Sequence, residues 1–137
     1  DGVIYQFLDT NDIGWHAGRV NKYSIGVDFS NAYYLKYNKI YKKRGFSERP
    51  ILKDSIVHGR KLKPHLGYYK VQLEAYKKLL EALTSFYNIP LQTPSEAKVI
   101  PEAQTGKYDG VVCHYHVSRK KIDCAGLDIE SILEELR

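Results

Sequence analysis

The stretch from Tyr68 to Tyr87, YYKVQLEAYKKLLEALTSFY, constrains this chain most. Leu73, Tyr76, Leu80, Leu83 and Tyr87 recur at spacings of three and four, with Leu79 and Phe86 beside them. That is the period of one face of an α-helix. Glu74, Lys77, Lys78 and Glu81 fall on the other side, and Asn88 and Pro90 end the pattern. A helix with a single apolar face must lie on another layer, and here that layer is expected to be a sheet. Nothing on the helix itself points to chemistry.

The sheet is sought in apolar, β-branched segments. Val3 to Leu8, VIYQFL, follows the turn dipeptide Asp1-Gly2 and reads as a strand. Asn11 to Gly18 reads as a loop. Ser24 to Phe29, SIGVDF, reads as a second strand, with Ile25, Val27 and Phe29 on one face and Gly26 and Asp28 on the other. An Asp inside such a strand is either a surface residue or a carboxylate placed on a functional face. Lys98–Ile100 and Gly110–His114 bracket a later loop, and GVVCH reads as a short buried strand that delivers His114 at its end. Asp128 is placed to cap a last helix in which Ile129, Ile132, Leu133 and Leu136 face inward. Strands and helices are interspersed, so the expected class is α/β or α+β, with a central mixed β-sheet flanked by helices.

A chain of 137 residues with 43% apolar content is one domain. Ser30 to Leu66 is its irregular part, an excursion without clean period, with short strands expected around Ile51 to Val57. The excursion is rich in Tyr, and some of the chain's 12 Tyr are suited to lining a binding surface. It also holds much of the net charge of +5, through Lys36, Lys39, Lys42, Lys43, Arg44, Arg49, Lys53, Arg60, Lys61 and Lys63. Such charge suits an anionic partner, and a solvated basic loop accounts for it equally well. The basic residues sit in an irregular loop and no nucleic-acid motif accompanies them, so nucleic acid is not the expected partner. No apolar run is long enough to span a membrane, and the start shows no signal-peptide pattern.

Cys113 to Gly126, CHYHVSRKKIDCAG, concentrates two His, two Cys, an Asp and three basic residues. A catalytic zinc takes three protein ligands from such groups and keeps one position open. His114, with Asp123 or Cys124 a short loop later, supplies two of them. The two Cys are too few for a disulfide framework; one bridge, free thiols or metal ligands all remain open.

Gly14 to Asn31, GWHAGRVNKYSIGVDFSN, resembles the WHAG…N…SIGIE segment of the zinc-dependent N-acetylmuramoyl-L-alanine amidases. That superfamily includes phage amidase lysins, bacterial cell-wall recycling amidases and peptidoglycan recognition proteins. The family's opening strand, DGxIYQ, stands here as DGVIYQ, Asp1 to Gln6. A helix and the terminal H…K-x-D-P-G segment follow in the same order, the latter as HYHVSRKKIDCAG. The likeness covers nearly the whole chain outside the basic excursion. Several motifs in one order are far more specific than any one alone.

The resemblance implies a peptidoglycan hydrolase with zinc as cofactor, phage-lysin-like, acting on the bacterial cell wall. The family's H-x-x-[IV] matches His114 with Val117, and its K-x-D matches Lys121-Ile122-Asp123. This makes His114 and Asp123 metal ligands and places Lys121 near the reacting carbonyl. Cys124 stands where the family has Pro. The loop from Val117 to Lys121 looks one residue short, and a one-residue shift would make Cys124 the ligand. The same shift would put Ile122 where the Lys belongs, so Asp123 is the expected ligand. Asp28 takes the place of the Glu of SIGIE, the family's catalytic acid, with one methylene less. Trp15 and His16 match the loop that borders the substrate groove, with His16 a groove or structural residue and not a ligand.

The family's first zinc ligand is a His on a strand upstream of DGxIYQ. None of the five His (His16, His58, His65, His114 and His116) stands there, so it is expected in residues preceding Asp1. A non-catalytic peptidoglycan-binding module of the same fold is the second expectation, since family members of that kind have typically lost a zinc ligand.

Overall fold

The computed structural model describes residues 2–137. Of the turn expected at Asp1-Gly2, the Asp1 half lies outside the described residues. Helix α2, Lys70–Tyr87, is the longest element. The Gln72 side chain accepts the Tyr69 N–H at 3.2 Å at its start, and Asn88, in the left-handed conformation at φ 53°, ends it. Its buried stripe is Tyr76, Leu80 and Thr84; Phe86 and Tyr87 project into solvent.

The stripe packs on the C-terminal part of the chain. Val57, Tyr76, Leu80, Cys113, Tyr115, Ala125, Leu127, Ile129 and Leu133 form one buried cluster. Phe29 joins it edge-on, with ring centroids 5.1 Å from Tyr68 and 5.0 Å from Tyr76. Helix α5, Ile129–Glu134, delivers Ile129 and Leu133 to this cluster. Asp128 caps it as expected: its Oδ1 accepts the Ser131 N–H at 3.1 Å and its Oδ2 the Ser131 hydroxyl at 2.8 Å.

The excursion contains helix α1, Asn38–Lys43, and four short strands: β1, Ile51–Leu52; β2, Ile56–Val57; β3, Arg60–Lys61; and β4, His65–Leu66. Strand β1 pairs with β4 and β2 with β3, both antiparallel. His58 and Gly59, at φ 53° and 73°, make the two-residue turn of the second hairpin. The short strands expected around Ile51 to Val57 are therefore present. Short helices α3, Pro101–Gln104, and α4, His114–Val117, follow α2.

Helices and strands do mix, but the central sheet is not formed by the described residues, whose ladders are these two small pairs. Val3 to Leu8 and Ser24 to Phe29 belong to neither sheet, and Gly110 to Cys113 lead into a helix. A strand is stabilised by a neighbour's backbone and a covered face. At Val3 to Leu8 the face is open: Tyr5 is 70% and Phe7 90% exposed. At Ser24 to Phe29 only Phe29 reaches the core, while Ile25 and Val27 stay in water. The loop expected over Asn11 to Gly18 passes into a 3-10 turn at Gly18–Tyr23. Among the described residues no helix is long and apolar enough to cross a membrane.

Arg49 changes the reading of the basic excursion. Its side chain is 2% exposed, its guanidinium donates to the carbonyls of Ala32 and Gly67, and it lies 5.4 and 5.5 Å from the Tyr41 and Tyr69 ring centres. Asn38 grips its backbone from both sides, at 3.0 and 3.2 Å. This cation holds the excursion together and does not face a partner. Lys42 and Lys61 pair with Glu48 and Asp54, which leaves Lys36, over the Tyr34 and Tyr37 rings, with Lys39, Lys43 and Arg44 as the cations without an ion pair between residues 36 and 44 among the described residues.

Leu133 is fully enclosed at the contact of α5 with α2. Leu133→Ala is expected to cost about 2–5 kcal/mol, read as a lower urea midpoint at unchanged slope.

Candidate functional site

The site is built on α4. Cys113 precedes it in extended conformation, and His116, 1% exposed, anchors it. The Cys113 N–H donates to His116 Nδ1 at 3.0 Å, and His116 Nε2–H donates to the Glu96 carbonyl at 3.2 Å. The Ile100 N–H in turn donates to the His116 carbonyl at 2.9 Å. Both ring nitrogens are occupied, so His116 is structural and no ligand. Burial pushes its pKa down to about 4, partly opposed by the Glu96 carbonyl, with His58 adding a small push downward.

His114, at the start of α4, is half-buried. Its Nε2–H donates to the His16 carbonyl at 2.8 Å. That bond leaves Nδ1 as the lone-pair nitrogen of the neutral ring, and Nδ1 faces Asp123 Oδ2. Nδ1 and the carboxylate are thus in hydrogen-bond contact, and both are donor types that a metal takes. Asp123 sits on the exposed segment that returns from α4, with its backbone carbonyl accepting the Tyr115 N–H at 3.2 Å.

Cys113 and Cys124 form a disulfide. Their sulfurs are therefore not available as thiolate ligands, which removes the rival to Asp123 in this structure.

The WHAG loop comes to the site through its backbone. Asn21, buried, accepts the N–H groups of His16 and Ala17 at 3.2 and 2.7 Å. The His16 ring lies against Gly14 and Ser24, and it covers Gly26 so closely that a Cβ there would come within 2.5 Å of the ring. The His16 ring is thus held by its own loop, and the residue's carbonyl accepts from His114 Nε2–H. Trp15 beside it is 93% exposed.

The remaining candidates are not joined to the pair. Asp28, two residues beyond Gly26, is exposed and makes no hydrogen bond or ion pair among the described residues. Lys121 is exposed as well. Its N–H donates to the Ser118 carbonyl at 3.1 Å, its own carbonyl accepts His58 Nε2–H at 2.9 Å, and its ammonium has no ion pair among the described residues. His58 and Asn21, the Asn of the WHAG…N…SIGIE segment, are supports outside the candidates named from the sequence. VHG, a turn between strands, was the available signal for His58.

Among the described residues no group of three or more His, Cys, Asp or Glu could hold a metal ion. His114 Nδ1 and Asp123 Oδ2 fit zinc by donor type and by their convergence, as two of the three protein ligands such a site takes.

A sequence model of the family described as N-acetylmuramoyl-L-alanine amidase matches residues 1–126. Comparison with curated proteins and with solved structures gives no match.

The buried imidazole predicts an acid dependence. Folded His116 stays neutral down to about pH 4, whereas an unfolded His takes its proton near 6.5. The unfolded state binds more protons in that window, so this contribution is full above 6.5 and is lost as pH falls toward 4. Urea midpoints between pH 7 and 4 are expected to fall more steeply for the native chain than for His116→Gln, which keeps both hydrogen-bonding roles without titrating.

Proposed function

The chain belongs to the N-acetylmuramoyl-L-alanine amidase family, and we propose that it uses zinc to hydrolyse the amide between the lactyl group of N-acetylmuramic acid and L-alanine in peptidoglycan. The observation that carries this reading is the convergence of His114 Nδ1 and Asp123 Oδ2. In the reading these two hold the metal. When bound there, zinc supplies Lewis acidity, which acidifies water and polarises a carbonyl. The site needs one more protein ligand than the described residues bring together.

The chain's own groups do the rest. The His16 carbonyl keeps the His114 proton on Nε2, so Nδ1 stays a donor of electrons. The Asp28 carboxylate accepts a proton from the attacking water and returns it to the leaving amine of L-alanine. That role requires the Asp28 segment to approach the pair when substrate binds. The Lys121 ammonium, free of ion pairs among the described residues, stabilises the negative charge that develops on the carbonyl oxygen. Exposed Trp15 offers a flat apolar face to the muropeptide. Lys36, Lys39, Lys43 and Arg44 suit anionic wall polymer. The match of the motifs to phage members favours a phage lysin acting on a host wall.

A second reading, a peptidoglycan-binding module without activity, draws on the two-ligand set and on the unlinked Asp28.

Incubation with purified peptidoglycan should release new L-alanine amino termini and show bound zinc by elemental analysis. Asp123→Asn is expected to lose zinc. Asp28→Asn is expected to keep zinc and lose about 10²–10⁴-fold in rate. Bound zinc with no new amino termini would select the binding module.

A further inference from the structure

Cys113 directly precedes His114, and Cys124 directly follows Asp123. Their disulfide, with Cα atoms 5.8 Å apart, closes a ring around the segment that begins with one candidate ligand and ends with the other. The two halves of that ring are held very differently. The His114 half is anchored by buried Tyr115 and His116 and by the bond from His114 to the His16 carbonyl. The Asp123 half, from Arg119 to Asp123, is exposed throughout. Backbone bonds to Tyr115 and Ser118 and a bond from the His58 ring to the Lys121 carbonyl hold it, and His114 is the side-chain partner of its carboxylate. Cys113 is 3% exposed within the core cluster, so the bridge ties the exposed half to a buried point of the core.

We infer that the Cys113–Cys124 disulfide is a positioning element of the site, holding the Asp123 carboxylate opposite His114 Nδ1. The role as part of a metal site rests on the amidase reading; the positioning does not. A closed ring limits how far Asp123 can stray, which raises its effective concentration at His114. A competent pair is thereby confined to surroundings in which the disulfide persists, as outside the cell.

The test uses Cys113→Ala/Cys124→Ala in the full chain, since a serine at buried position 113 would enclose an unpartnered hydroxyl. The ¹⁵N shift of His114 Nδ1 in the metal-free protein at pH 7 reports the pairing. It is expected to move to the value seen in Asp123→Asn, and adding Asp123→Asn to the double variant should move it no further. Retention of the native shift, or additive displacement, overturns the inference. Zinc affinity, from competition with a chromophoric chelator, should fall about 10–100-fold in the alanine pair. If peptidoglycan gains no new L-alanine amino termini while the His114 shift behaves as expected, the amidase reading fails and the positioning role stands. Far-UV circular dichroism checks the fold. Should the alanine pair lose it, Cys113→Val/Cys124→Ala refills the core volume, and the same readings on it decide.

Discussion

A buried imidazole underlies the arrangement of the site. His116 is enclosed, held neutral, and bonded at one nitrogen to the Cys113 backbone and at the other to the Glu96 carbonyl. Burying such a ring is costly unless both nitrogens are satisfied. Satisfying them fixes the start of α4, the approach of residues 96–100 and the position of Cys113 together. From that fixed point the chain presents His114 on one side, and the disulfide brings Asp123 back on the other. Bonds from the WHAG loop to Asn21 and from His114 to the His16 carbonyl then set which nitrogen faces the carboxylate.

The basic excursion is organised by a comparable device, in this case a charged one. Arg49 lies in a cage of carbonyls and tyrosine rings, and its Nε has no hydrogen-bond partner among the described residues. Delocalised charge and a planar face make an arginine easier to enclose in this way than a lysine. Tyr33 stacks on buried His65 at 4.7 Å, and Tyr41 accepts the Ala32 N–H at 3.2 Å. Tyrosines that composition alone assigns to a binding wall are in part the packing of that cage. Tyr34, 63% exposed, is the one of this group most open to a partner.

Legibility in the sequence followed the range of the interactions. Helix α2 and the Asp128-capped helix α5 were legible because their signals, a 3.6-residue period and a side-chain cap three residues from its target, are local. The expected central sheet was not recovered among the described residues, because a strand is decided by which backbone lies beside it, and apolar alternation says nothing of that. The same limit applied at the site. Residue type nominated His114 and Asp123, but also Cys113, Cys124 and His116, and composition could not rank them.

The sequence by itself determined the amphipathic helix, the capped C-terminal helix, the order of motifs that marks the amidase family, and the residue types suited to a metal. Those are properties of short windows and of their succession along the chain. The tertiary structure decided which of those residues meet. It committed both thiols to each other, committed both nitrogens of His116 to backbone groups, buried Arg49 away from any partner, and left His114 and Asp123 as two donors aimed at one point. The reason is physical: a polar group's role is settled by what remains unsatisfied once its neighbours are in place, and those neighbours are distant in sequence.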